Sequence, residues 1–181
     1  MKKRLVLSTL LLIVFTPLAF AQDDNSNISA ELELIKSWVG VWDAEFEVWP
    51  QGPEQPSMKF KGVETNRAFG THWIASDLDS EMMGQKMTVH SIVGYDLDLK
   101  KMAGKIIDQG PYAAKLIGEY DQESKTVNWT TTFKDPSGKP AVQKTSIKQI
   151  SETERLLVLN VPAEEEGKFR KMMEIKFVKR K

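Results

Sequence analysis

The sequence predicts an all-β protein, an up-and-down antiparallel β-barrel of about ten strands with a short N-terminal helix. Three observations carry this. Hydrophobicity alternates with a period of two along most of the chain after Trp38. Turn-forming residues interrupt that alternation at hairpin spacing, too closely for crossover helices. Aromatic residues recur on single faces of the predicted strands, and a meander with such a core tends to close because closure removes unpaired sheet edges.

The elements follow in order. Ser29 has the character of a helix N-cap, with Glu31 in the first turn beyond it. Ile28, Leu32 and Ile35 lie at helical spacing, which predicts a helix over 30–37, able to close one end of a barrel. The period then changes. Trp42, Ala44, Phe46 and Val48 alternate with Asp43, Glu45 and Glu47, giving a strand with one wet face. After a loop rich in Pro, Gly and Gln over 50–56, Met58 and Phe60 alternate with Lys59 and Lys61. Strands are predicted next over 72–79 and 86–95, joined by Met83-Gly84-Gln85, and then over 101–108, ended by Gln109-Gly110-Pro111. Segments 113–120 and 125–133 follow, the latter with Val127, Trp129, Thr131 and Phe133 on one face. The turn Asp135-Pro136-Ser137-Gly138 leads to strands over 142–150 and 155–161. In the last strand Phe169, Met173, Ile175 and Phe177 alternate with Arg170, Glu174 and Lys176.

A chain of 181 residues suits one domain large enough to need no covalent staple, and it has no cysteine, which excludes disulfides and thiolate sites. Residues 1–21 read as a secretory signal peptide. Lys2, Lys3 and Arg4 precede an apolar run from Leu5 to Phe15, Pro17 breaks it, and Ala19-Phe20-Ala21 fits a cleavage site. The run is shorter than the ~20 residues of a membrane span. The sequence therefore predicts export to the periplasm or beyond with cleavage near Ala21, a polar disordered segment over 22–29, a single domain over 30–181, and no transmembrane span in the mature protein. Without Lys2, Lys3 and Arg4 the charge is −3. That speaks against nucleic acid or an anionic membrane surface as the main partner, because both call for a basic stripe.

Several blocks carry a resemblance. The stretch from Leu34 through Gly40-Val41-Trp42 resembles the opening of lipocalin-like barrels. Gly62 and Glu64 with Arg67, Gly70 to Ile74, Glu81 to Gln85, Val93-Gly94-Tyr95-Asp96, and Leu116 with Gly118 and Tyr120-Asp121 are similar in order and spacing to an exported bacterial family. So are Asp135 with Gly138-Lys139-Pro140 and the closing Met173-Glu174-Ile175. That family is known only as domain of unknown function 1579. The resemblance runs from about Leu32 to Lys179 and implies a calycin-type barrel, with no established reaction, ligand or cofactor. The chain departs from the family pattern at His72, where Arg is common, and at Ile106 or Ile107, where a Trp often precedes the position of Asp108.

A lipocalin-like barrel can hold one small ligand inside, so inward faces are the place to seek a site. Glu64 shares a parity with Met58, Phe60 and Gly62, and Asp108 shares one with Met102, Gly104 and Ile106. Both carboxylates are expected inside, with Arg67 paired to one of them near the mouth. This is either a polar anchor for a ligand or a structural ion pair. Trp42, Trp73 and Trp129 are expected to pack inside, as ligand wall or as plain core. Trp38 and Trp49 are expected to plug the ends of the first strand. His90 completes the candidate ligand-binding set of Trp42, Glu64, Arg67, Trp73, His90, Asp108 and Trp129. Neither His72 nor His90 has the spacing of a metal ligand. Met82, Met83 and Met87 could bind Cu(I) through their thioethers or form a soft edge of the core. No nucleophile or phosphate-loop motif is present.

Three readings stay open from the sequence. One is a binding module holding a small, largely apolar molecule in its cavity. Another is a structural or interaction module of the cell envelope with a solid barrel. The third is an enzyme or haem protein using Glu64, Asp108 or the histidines. Ligand, cofactor and oligomeric state are not encoded in any motif.

Overall fold

The structure, a computed structural model, describes residues 30–181. The signal peptide and the polar segment expected over 22–29, with the N-cap Ser29 and Ile28, lie outside the described residues. Helix α1 (Ala30–Ser37) is followed by ten strands. They are β1 (Gly40–Val48), β2 (Met58–Phe69), β3 (Trp73–Met82), β4 (Gln85–Asp96), β5 (Lys101–Ile107), β6 (Ala114–Asp121), β7 (Thr126–Lys134), β8 (Pro140–Gln149), β9 (Glu154–Pro162) and β10 (Phe169–Lys179). Each pairs antiparallel with the next, and β1 closes on β10 from Trp42↔Lys179 to Val48↔Met173. The sheet therefore has no free edge. A bulge in β10 at Met172, between the pairs of Lys171 and Met173, bends the strand near the closure.

Tight turns set the register. Met83 and Gly84 take positive φ of 53° and 79°, as a two-residue hairpin turn requires. Asp135 begins the β7–β8 turn, and its carboxylate accepts hydrogen bonds from Ser137 N (2.8 Å) and Lys139 N (2.9 Å). Asp121 does the same for Glu123 N (3.0 Å) between β6 and β7. The hydroxyls of Ser124 and Ser137, which donate to Asp121 and Asp135, and then these backbone bonds hold both carboxylates below the usual range.

Directly opposed residues share a sheet face, so the register tells inside from outside. Trp42, Ala44 and Phe46 oppose Glu64, Gly62 and Phe60, and Glu64 and Asn66 oppose Leu78 and Ser76, so all of these point inward. Inside, the barrel has two unlike halves. Around α1 the interior is solid: Leu34, Ile35, Trp38, Ile74, Val93, Met102, Leu116, Val127 and Trp129 form one buried cluster, and Trp42, Ala44, Phe46, Ile175 and Phe177 form a second. The Trp129 ring lies over Gly118, where a Cβ would come within 2.6 Å of it. Trp38 sits in this plug, as its expected end-sealing role requires. At the far end, where the β1–β2, β3–β4, β5–β6, β7–β8 and β9–β10 connections gather, most inward residues stay only half-buried, with Val48 buried among them.

Candidate functional site

The closed half contains a polar network that period-two patterning does not display. Arg155, the second residue of β9, opposes Phe177 and Gln149 and points inward. It is 3% exposed and forms an ion pair with Glu64, itself 9% exposed. The guanidinium carbon stands 4.3 Å from the centroid of Phe177, 4.6 Å from that of Trp42 and 5.3 Å from that of Trp38. Burial pulls Arg155 down to about 9, while the carboxylate and three aromatic faces compensate its charge. Asn66 Nδ2 donates to Glu64 Oε2 (2.8 Å) and to the Trp38 carbonyl (2.9 Å), and Asn66 Oδ1 accepts from Ser76 Oγ. The same carbonyl accepts from Trp42 Nε1 at 2.8 Å, and Trp38 Nε1 donates to Gln149 Oε1 at 2.8 Å. The network thus ties the chain leaving α1 to β1, β2, β3, β8 and β9. Its chemistry is structural, because Glu64 is engaged by both Arg155 and Asn66.

The open half has a different lining. Phe60, Leu78, Met87, Val89, Ile106, Phe133, Leu159 and Met173 point inward and keep partial solvent access. Ser91, Gln143 and Thr145 add a few polar groups on the same faces. Beneath the β5–β6 loop this interior opens into a hollow of about 220 Å³, lined by Ile106, Asp108, Tyr112, Ala114, Phe133 and Gln143 among others. Two larger concavities, of about 510 and 620 Å³, lie on the outer wall around outward-facing charged residues such as Glu119 and Lys144, or Glu45 and Lys61. They are open surface rather than barrel interior.

The seven candidate ligand-binding residues divide accordingly. Trp42, Glu64 and Trp129 point inward in the closed half. Asp108 lines the mouth hollow, with Oδ1 accepting from Gly110 N at 2.7 Å. Arg67, Trp73 and His90 require correction: all three are on the outer wall. Trp73 opposes Gly94 with its ring over that glycine, where a Cβ would meet it at 2.5 Å. Its inward placement rested on aromatic character, whereas Ile74 is the residue on the inner parity. Arg67 pairs with Asp77 at 2.5 Å, not with Glu64 or Asp108, and His90 Nδ1 lies 2.7 Å from the other Asp77 oxygen. These two partners hold Asp77 below the usual carboxylate range.

Arg155 escaped the sequence reading because Leu156, Leu157, Val158 and Leu159 are apolar on both parities and hide which face is inner. Asn66 was within reach, since it continues the parity of Glu64. Among the described residues no group of three or more His, Asp or Glu could hold a metal ion, and no helix is long and apolar enough to cross a membrane.

A family model for a protein of unknown function, DUF1579, matches residues 28–179. The chain belongs to the DUF1579 family. No curated protein sequence matches this DUF1579 protein. Among solved structures, Rv2717c from M. tuberculosis superposes with a TM-score of 0.65 at 9% identity, covering 84% of this chain and 99% of that one. The S-type phycobiliprotein lyase CPES from Guillardia theta superposes with a TM-score of 0.58 at 12% identity, covering 82% and 92%. At such identities the DUF1579 protein shares a barrel fold with both, and the likeness carries the fold alone.

Proposed function

We propose that this protein is a binding module that holds a small, largely apolar molecule in the open half of its barrel. One observation carries the reading: most inward-facing apolar side chains of that half keep access to solvent, while the largest ones of the other half are buried. Half-wet apolar walls with a few polar groups are the usual composition of a ligand pocket. The solid plug then acts as the floor, and the Arg155–Glu64 network makes it rigid. The phycobiliprotein lyase among the structural neighbours adds support by analogy of fold. An interaction module with a solid barrel accounts less well for inward apolar side chains that keep solvent access beside a hollow of about 220 Å³.

The setting proposed for this activity is outside the cytoplasm, after cleavage near Ala21. Native mass spectrometry of the protein purified gently from its own cells tests the function. A reproducible added mass that organic solvent removes is the expected result. A bare mass, together with no binding of apolar fluorescent probes, would overturn it. N-terminal sequencing of the same sample reads the cleavage site.

A further inference from the structure

We infer that the mouth hollow is a head-group subsite that prefers an amphipathic ligand ending in a protonated amine; this rests on the binding reading above. Its polar focus is Asp108. The residue stands one position past the end of β5, is exposed to solvent, and lines the hollow with Ala114, Phe133, Gln143 and Tyr112. Among the described residues Asp108 has no ion-pair partner, and its single hydrogen bond, from Gly110 N at 2.7 Å, occupies Oδ1 alone. Oδ2 is left to accept. Glu64, the inward carboxylate, is already engaged by Arg155 and Asn66, so it offers nothing to a ligand.

The remaining lining suits a cation too. The aromatic rings of Tyr112 and Phe133 border the hollow, and aromatic faces attract positive charge. Tyr112 already shows this behaviour, because the Lys134 ammonium stands 5.5 Å from its ring centroid. Lys134 belongs to the outer parity of β7, so its ammonium arrives from outside, and among the described residues it is the one cationic side chain that lines the hollow. It opposes the preference of Asp108. Within the roughly 220 Å³ hollow the apolar body of the ligand would lie against Ile106, Ala114 and Phe133.

Dodecylamine, dodecanol and dodecanoate, titrated at pH 7 below their aggregation concentrations against a displaceable apolar fluorophore, test the subsite. The amine is expected to bind about tenfold more tightly than the alcohol, and the acid more weakly than either. Asp108→Asn keeps an oxygen for Gly110 N and so preserves the loop; it should bring amine and alcohol together. Lys134→Gln should tighten the amine. Equal affinity for all three probes, or an amine preference untouched by Asp108→Asn, overturns the subsite while the hollow stands. Preference for the acid overturns it as well. Failure of all three to bind removes the hollow itself as a binding site.

Discussion

Arg155 and Glu64 meet inside the closed half of the barrel although their strands, β9 and β2, are not neighbours; β10 and β1 stand between them. The pair spans the seam where the chain's first and last strands zip together. Its energetics therefore report on closure of the barrel.

Removing one partner should be costly and removing both should not. Arg155→Met or Glu64→Leu alone leaves a buried charge or its aromatic cage without the partner, which costs about 3–5 kcal/mol. The double substitution Arg155→Met, Glu64→Leu should recover most of that loss. Urea unfolding of the four proteins gives the coupling energy. Additive effects would mean that the two groups do not sense each other.

Acid should weaken the fold through the turn carboxylates. Asp121 and Asp135 titrate below their ordinary range when folded because they accept hydrogen bonds from turn groups, and Asp77 does so through His90 and Arg67. A depressed folded pKa means stability that is present above the unfolded value, near 3.8, and lost as pH falls through the folded one. The melting temperature should therefore hold steady down to about pH 5 and decline from about pH 4 downward. Asp135→Asn, which keeps the acceptor and loses the charge, should make that decline shallower.

A side chain at Gly118 should disturb the plug. Its Cβ would come within 2.6 Å of the Trp129 ring, which is packed in the closed-half cluster. Gly118→Ala should cost about 1–3 kcal/mol, the usual range for overpacking. Calorimetry reads the loss, and a shift in tryptophan emission shows that the ring has moved.

Filling the open half should end binding without unfolding the barrel. Ser91 points inward and is half-buried there. Ser91→Trp should weaken an apolar fluorescent probe by about tenfold or more, equivalent to ~1.4 kcal/mol, with little change in melting temperature. An unchanged affinity would put the probe elsewhere.

Outer-wall groups should leave that affinity alone. His90→Ala and Arg67→Ala break only the exposed pairs with Asp77, worth about 0–1 kcal/mol in stability. Probe affinity in both variants should match the parent. A large loss would relocate the site to the outside of β2–β4.

The parts of the site that sequence made legible follow a simple pattern. Glu64 was readable as an inward carboxylate because Phe60 and Gly62 before it keep an unbroken alternation in one strand. Asp108 was read as an inward carboxylate because it extends the parity of Ile106, but β5 ends at Ile107 and the side chain is exposed in the loop that follows. Trp73 was misread because a large aromatic side chain outweighed parity, and glycine at position 94 gives the ring a place to lie outside. Arg67 was assigned to an inward carboxylate because nothing local announces that Asp77 and His90 will line up beside it on the outer wall.

By itself the sequence determined the ten-stranded antiparallel barrel and its short helix. Those depend on local quantities: a two-residue hydrophobic period, turn residues with the right φ, and connections too short for crossovers. Tertiary structure alone decided that Arg155 neutralises Glu64, which residues pack with α1 in the plug, and that apolar walls at the other end keep partial solvent access. Each of these depends on which strands closure brings face to face across the interior, and such a distance between side chains from separate strands leaves no periodic trace in the chain.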